Sequence, residues 1–169
     1  MSDIADPNQP QPETTTAELP DPQAEAQLEQ IEEDFAATGT LVGIIMGSKN
    51  DMEKMLPAEK YLTEQGIQSE IHVMSAHRDP DKVHEFCTTA RARGLKVIIA
   101  GAGMSAALPG VAAAQTDLPV IGVPILGKSL GGLDALLSAV QMPPGIPVAC
   151  VAIDGAKNAG VLAARIINA

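Results

Sequence analysis

The chain has 169 residues and a formal net charge of −10, and the acidic excess lies entirely at one end. Residues 1–38 hold ten Asp and Glu and no Lys or Arg, so the acids and bases of the remainder balance. That balance excludes the basic excess typical of nucleic-acid-binding domains. Apolar runs end well short of the ~18 residues needed to cross a membrane, and the chain opens without a basic segment followed by an apolar one. We therefore expect a cytoplasmic protein.

Composition divides the chain into a tail and one domain. Residues 1–38 combine their acids with Pro, Gln and Thr, which predicts a largely disordered tail, with a possible short helix at 24–35. Residues 39–169 suit a single domain in length. Its cysteines, Cys87 and Cys150, lack the spacing of a disulfide framework or a zinc site, which predicts two buried thiols and no metal.

Within the domain, apolar runs that predict buried strands alternate with segments of helical composition. The predicted strands are residues 41–46, 69–74, 97–100, 120–123 and 148–151. The predicted helices are residues 50–65, 79–93, 106–115, 132–141 and 156–167. Asp79 is expected to cap the second helix, with Pro80 at its first position. This alternation predicts an α/β fold with a doubly wound, five-stranded parallel sheet.

The helical segments are rich in Ala, and Phe35, Tyr61 and Phe86 are the chain's only aromatic residues apart from histidine. Small side chains permit close helix packing, but each one buries little apolar area. A domain of this composition can gain further burial between subunits, which predicts a homo-oligomer.

The segment after the first predicted strand has features of a ligand-binding loop. Gly47 lets the backbone approach a ligand, and the start of the following helix offers free N–H groups to an anion. Ser48 can donate to a phosphate, whereas Asp51 suits sugar hydroxyls. A simple capped loop would explain the same residues.

Ser75-Ala76-His77-Arg78 follows the second predicted strand and carries the strongest chemical signal. Ligands of doubly wound folds bind at the carboxyl ends of strands. The imidazole of a histidine exchanges a proton near neutral pH, and arginine holds phosphate or carboxylate through its forked donors. His77 and Arg78 therefore predict acid/base chemistry on an anionic small molecule. His72, inside the strand, and His84, inside the next helix, are interpreted as structural.

Gly101-Ala102-Gly103-Met104-Ser105-Ala106 follows the third predicted strand. It matches the dinucleotide fingerprint only weakly, because it does not follow the first strand and Asp117 is misplaced for a ribose contact. A glycine-rich loop that admits a flat ring or a carboxylate is the other interpretation.

The whole pattern resembles a known family. Six blocks occur in fixed order: Met46-Gly47-Ser48-Lys49-Asn50-Asp51, Ser75-Ala76-His77-Arg78, Ala100-Gly101-Ala102-Gly103, Leu108-Pro109-Gly110, Leu118-Pro119-Val120-Ile121-Gly122-Val123-Pro124 and Leu137-Ser138-Ala139-Val140-Gln141-Met142-Pro143. Together they resemble the 5-(carboxyamino)imidazole ribonucleotide mutases of purine biosynthesis, the mutase-type branch of the phosphoribosylaminoimidazole carboxylase catalytic subunits. The resemblance covers residues 41–167 and leaves out the acidic tail.

This resemblance implies a flavodoxin-like three-layer α/β/α subunit in a homo-octamer. It implies an isomerase that moves a carboxylate from the exocyclic nitrogen to a ring carbon of an aminoimidazole ribonucleotide, with carbon dioxide released and recaptured in the site and with no metal or organic cofactor. His77 would be the general acid/base. The substrate-binding residues would be Ser48, Asp51 and Arg78, together with Gly47, Ser75, Gly101, Ala102, Gly103 and Leu108.

Two features distinguish the chain within this pattern, and two alternatives stay open. Ala107 stands where the commoner mutase loop has a histidine, which leaves His77 to carry the proton, and Asn50 replaces a common Ser. The first alternative is direct carboxylation of aminoimidazole ribonucleotide by carbon dioxide, although Gly101-Ala102-Gly103 is closer to the mutase branch. The second is a non-enzymatic, flavodoxin-like module that binds a sugar phosphate.

Overall fold

The computed structural model describes residues 39–169, so the predictions for residues 1–38, including the helix at 24–35, lie outside the described residues. Within the described residues, five strands alternate with five α-helices, as predicted. The strands are β1 (Thr40–Met46), β2 (Gln68–Val73), β3 (Val97–Gly103), β4 (Val120–Ile125) and β5 (Ala149–Cys150). The helices are α1 (Met52–Glu64), α2 (Pro80–Thr89), α3 (Leu108–Ala113), α4 (Leu133–Val140) and α5 (Ala156–Ile167). Short 3₁₀ turns at Lys49–Asp51 and Leu130–Gly132 precede α1 and α4.

The five strands are parallel and lie in the order β2-β1-β3-β4-β5. This is the flavodoxin-like order, in which the direction of winding reverses between β1 and β3. Side chains of α1 and α5 form one hydrophobic cluster on the sheet, and side chains of α2, α3 and α4 form the other. The predicted three-layer fold is confirmed.

The central strands supply side chains to both layers, because successive residues of a strand point to opposite faces. In β1, Val42, Ile44 and Met46 join the cluster of α1 and α5, whereas Ile45 joins the cluster of α2, α3 and α4. All four side chains are fully buried. Burial on both faces explains why β1 is a continuous apolar run rather than an alternating one.

β3 and β4 both extend beyond their predicted ends. The extension of β3 changes the interpretation of the glycine-rich segment. β3 continues through Gly103, so Gly101, Ala102 and Gly103 belong to the strand and not to a loop. Their pairing with residues 123–125 of β4 overrides the low strand propensity of glycine. The turn begins only at Met104, which has a φ of 54°.

The second helix is shorter than predicted. It ends at Thr89, and residues 90–94 form hydrogen-bonded turns. The last of these residues, Gly94, has a φ of 88°. Asp79 precedes the helix as expected, but its side chain makes no capping hydrogen bond to the helix. The third helix begins two residues later than predicted, because the longer β3 and the turn after it occupy residues 101–107. It also ends two residues early, at Ala113.

The sheet ends at β5, which is only two residues long instead of the predicted four. Beyond it, the chain follows β4 without forming a strand. The N–H of Val151 donates to the carbonyl of Gly122 at 3.0 Å, and the N–H of Asp154 donates to the carbonyl of Pro124 at 2.8 Å. Pro124 has no N–H to continue the ladder, which explains the early end of regular pairing.

Helices α1 and α5 pack at very close range on one face of the sheet. Gly160 of α5 lies against the backbone of Ala58 in α1, and a Cβ at position 160 would stand 2.8 Å from the carbonyl oxygen of Ala58. Both residues are buried. The Ala-rich composition therefore serves close helix packing within the subunit.

The two cysteines are free, as predicted, but they differ in burial. Cys87 is 1% exposed, and burial raises the pKa of its thiol to about 11 although Arg93 acts in the opposite direction. Cys150 is partly exposed, and burial raises its pKa as well. Residues 39–169 contain neither a helix able to span a membrane nor a group of His, Cys, Asp and Glu placed to hold a metal ion.

Candidate active site

The carboxyl ends of β1, β2, β3 and β4 converge on one cavity of about 610 Å³. It lies where the winding of the sheet reverses, the usual ligand site of this architecture. Four segments line it: Gly47, Ser48, Asn50 and Asp51; Ser75, Ala76, His77 and Arg78; Ala102, Gly103, Met104, Ser105, Ala107 and Leu108; and Ile125, Leu126, Gly127, Lys128 and Ser129.

The first segment forms an N-terminal cap beside the cavity. Ser48 has an extended backbone, and its Oγ accepts a hydrogen bond from the N–H of Asn50 at 3.2 Å. Its carbonyl accepts the N–H of Asp51 at 3.1 Å. Burial raises the pKa of the Asp51 carboxyl, an effect that Lys54 and Arg78 oppose. This carboxylate is thus partly removed from water and suited to accept hydrogen bonds from hydroxyls.

Ser75 organises the turn that holds His77 and Arg78 at the cavity. Its Oγ accepts the N–H of His77 at 3.3 Å, and its carbonyl accepts the N–H groups of Arg78 and Asp79 at 3.2 and 2.8 Å. The carboxylate of Asp79 accepts the N–H of Ser75 at 3.4 Å, so Asp79 stabilises this turn instead of capping α2. Ser75 is buried, whereas His77 and Arg78 are exposed to the cavity side of the turn.

Arg78 connects the two segments. Its Nη2 donates to the carbonyl of Gly47, which joins the end of β2 to the end of β1. A guanidinium carries five N–H donors, so this single bond leaves donors for an anionic ligand. Arg78 is therefore both oriented by the protein and able to hold a phosphate or carboxylate.

Nine of the ten residues predicted for the site line the cavity, and Gly101 does not. Gly101 is buried one residue deeper in β3, opposite Met46 and Val123, where the side chain of Met55 fills the space above it. Its neighbours Ala102 and Gly103 reach the cavity because the strand continues to its rim.

The three histidines of the chain all lie within the described residues, and only His77 lines the cavity. His72 packs against the ring of Phe86, with 5.3 Å between ring centroids, and its Nε2 lies 3.4 Å from a carboxylate oxygen of Glu70. His84 is exposed on α2, away from this cavity. The structural interpretation of His72 is consistent with these contacts.

Sequence reasoning missed the whole segment after β4. Leu126, Gly127, Lys128 and Ser129 line the cavity, and Lys128 adds a second cation to it. The available signal was a Gly-Lys-Ser tripeptide shortly after the fourth apolar run, the position equivalent to the other three segments.

Comparison with known proteins shows the family of this chain. The family model described as AIR carboxylase matches residues 41–169. The chain belongs to the AIR carboxylase family. It is 60% identical over 127 residues to the N5-carboxyaminoimidazole ribonucleotide mutase of Pyrococcus abyssi, covering 75% of this chain and 73% of that protein. It is 59% identical over 128 residues to the mutase of the same name from Aquifex aeolicus, covering 76% and 77%.

The fold is also similar to that of a solved structure. The crystal structure of Treponema denticola PurE matches with a TM-score of 0.69 and 34% identity, over 76% of this chain and 80% of that one. Identity to the two mutases is considerably higher than identity to this structure. The suspected family and the flavodoxin-like fold are therefore confirmed.

Proposed function

We propose that this protein converts 5-(carboxyamino)imidazole ribonucleotide to 4-carboxy-5-aminoimidazole ribonucleotide, an isomerisation in purine biosynthesis. The observation that carries the proposal is the 60% identity, over 127 residues, to a relative named for this mutase activity. The family model matches residues 41–169, which include every segment of the cavity. The site agrees with that chemistry, since it combines one histidine, two cations and a partly buried carboxylate.

Charge assigns the parts of the substrate to the parts of the cavity. Arg78 binds the phosphate, together with the hydroxyl of Ser48. Asp51 accepts hydrogen bonds from the ribose hydroxyls. The backbone of Gly47, Gly103 and the buried Ser75 turn borders the aminoimidazole ring, which lies near His77.

His77 carries the proton in both half-reactions. The bond between the exocyclic nitrogen and the carboxylate breaks, carbon dioxide leaves, and protonated His77 gives its proton to the nitrogen. The ring carbon then attacks carbon dioxide, and neutral His77 takes the proton from that carbon. The proton returns to its starting position, so the cycle balances with one proton carrier. Ala107 contributes no second imidazole at this position.

Buried apolar side chains along one wall of the cavity favour retention of carbon dioxide between the two half-reactions. Ala102, Leu108 and Ile125 line the cavity and are buried. An apolar wall offers no hydrogen bonds to water and suits a neutral, apolar intermediate. Recapture is then faster than escape, because the reacting carbon is held beside the trapped molecule.

The test follows ring-carboxylated product from 5-(carboxyamino)imidazole ribonucleotide without ATP. We expect product without dependence on added bicarbonate. Product formed only from aminoimidazole ribonucleotide and carbon dioxide would assign the protein to direct carboxylation. Binding of the nucleotide with no turnover of either substrate would refute both reactions and favour a non-enzymatic binding module.

We also propose that the subunits assemble as a homo-octamer in the cytoplasm, where a phosphorylated substrate is retained. An apolar stripe supports assembly: Leu130, Leu133, Leu137 and Val140 are 73, 51, 48 and 48% exposed. Because they are three or four residues apart, these side chains lie along one side of residues 130–140, which comprise the second 3₁₀ turn and α4. Light scattering after size exclusion measures the subunit number, and Leu133→Lys should lower it. A monomeric wild-type protein would refute the octamer.

A further inference from the structure

The segment of the cavity that follows β4 is held by two charged side chains from distant parts of the chain. Regular pairing of β4 with β3 ends at Ile125. The next residue, Leu126, has its N–H bound by Oδ1 of Asp154 at 2.8 Å and its carbonyl bound by Nζ of Lys54 at 3.0 Å. Both backbone groups that would otherwise lack a strand partner are therefore satisfied.

Lys54 and Asp154 also bind each other. Nζ of Lys54 lies 2.8 Å from Oδ2 of Asp154, and the two side chains are each 32% exposed. Each carboxylate oxygen of Asp154 thus has its own donor, and the ammonium bridges an acceptor on each partner. Partly buried, charge-assisted hydrogen bonds that share partners orient their groups more strongly than an isolated surface ion pair.

Asp154 makes this contact from an unusual backbone conformation. Its φ is 55°, in the left-handed region that few residues other than glycine, Asn and Asp adopt. Its N–H donates to the carbonyl of Pro124 at 2.8 Å, so the same residue binds β4 through its backbone and Leu126 through its side chain. A residue in this conformation costs folding energy, so it persists only where its surroundings hold it.

We propose that Lys54 and Asp154 are positioning residues for the Leu126–Ser129 segment of the active site. Lys128 and Ser129 follow the anchored residue directly and line the cavity, so the pair fixes where one wall of the site meets the nucleotide. The inference rests on the proposed mutase function for its kinetic readout. Loss of the pair weakens binding of the nucleotide more than it slows the bound reaction, since His77 lies on another segment.

Three variants separate the parts of this network. Lys54→Met keeps the aliphatic stem and removes the ammonium. Asp154→Asn keeps a side chain that tolerates a positive φ and an oxygen for the N–H of Leu126, but it removes the charge. Lys54→Arg restores a cation. Asp117→Asn is the matched control, because it removes the exposed Arg91–Asp117 pair, also 2.8 Å long, which lies outside the cavity.

We expect Lys54→Met to raise KM about tenfold with kcat within about twofold of wild type, the size of effect that one charge-assisted hydrogen bond supports. Asp154→Asn should raise KM about threefold. The double variant, which combines Lys54→Met with Asp154→Asn, should have a KM no higher than that of Lys54→Met alone, because the two residues act as a unit. Lys54→Arg should recover most of the loss, and Asp117→Asn should match wild type. Unchanged KM in both single variants, or a loss confined to kcat, would overturn the proposal.

Amide hydrogen exchange of the peptide that contains Leu126 gives a readout independent of catalysis. The amide of Leu126 should exchange faster in Lys54→Met and Asp154→Asn than in wild type or Asp117→Asn. Equal exchange in all four proteins would overturn the proposal even if the enzyme is a mutase. If wild type shows no turnover, the proposed function fails, and the exchange result still decides whether the pair anchors the segment.

Discussion

Replacing Gly160 by Ala tests the close packing of α1 against α5. The new Cβ would lie 2.8, 3.2 and 3.4 Å from the carbonyl oxygen, Cα and carbonyl carbon of Ala58. All three are backbone atoms in the middle of a helix, so they have no rotamer through which to move away. Relief requires the helices to separate by roughly half an ångström, enough to forfeit about a quarter of the dispersion energy of each contact across the interface.

The magnitude follows from two opposing effects. Overpacking of a close interface costs about 1–3 kcal/mol. Alanine is the better helix former, which returns about 1 kcal/mol. The difference is a net loss of about 0–2 kcal/mol, so we expect about 1 kcal/mol. In a domain of this size, a loss of 1 kcal/mol corresponds to a thermal midpoint lower by about 4 °C. Circular dichroism at one fixed protein concentration measures the midpoint.

Gly110→Ala is the matched control, since Gly110 also lies in a helix, α3, and also has a close neighbour. There the new Cβ would meet Sδ and Cε of Met142 at 2.9 and 3.2 Å, the far end of a flexible side chain. Met142 can rotate away, so this variant should equal or exceed wild type in stability. If Gly160→Ala is as stable as Gly110→Ala, close backbone packing does not limit the separation of α1 and α5.

Four further predictions concern the site, the thiols and the tail. His77→Asn should lower kcat by about 10²–10⁴ while product affinity, measured by calorimetry, stays within a few-fold; normal turnover would refute the acid/base role. Burial raises the pKa of the Asp51 carboxyl, so the folded state loses stability as pH rises through that pKa and the carboxyl ionises. The Asp51→Asn variant should therefore have a higher thermal midpoint than wild type at neutral pH, and this advantage should disappear in acid. The same variant should bind nucleotide more weakly. The buried thiol of Cys87, with its pKa near 11, should resist alkylation in the native protein and react after unfolding, as mass spectrometry can show. Deleting residues 1–38 should leave kcat and KM nearly unchanged, and a large loss would show that the tail belongs to the working domain.

The sequence predicted the elements whose signals are local. The apolar run of β1, the boundaries of α5 and the position of His77 after β2 all follow from patterns within about ten residues. The alternation of strands and helices predicted a doubly wound parallel sheet, because right-handed connections leave few arrangements. The flavodoxin-like version of that sheet was implied by the family resemblance and not by the alternation.

The features that were missed depend on contacts between distant residues. Gly101 looked like a loop residue because glycine has low strand propensity, yet its neighbours on β1 and β4 extend the strand through it. The Gly127-Lys128-Ser129 segment reaches the cavity only because β4 is two residues longer than its apolar pattern indicated. Lys54 and Asp154 are 100 residues apart, so no local pattern connects them.

The abbreviated end of the sheet has a consequence for how copies of this chain can meet. A residue in a strand directs its N–H and C=O toward the same neighbour, and the carbonyl of Pro124 is already taken by Asp154 on the outer side of β4. β5 offers only two residues of edge, too few to template pairing with another strand. On this side the sheet resists recruitment into a continuous intermolecular sheet, the usual route to aggregation. Assembly here must proceed through helix and loop surfaces, where side chains, and not the backbone, select the partner.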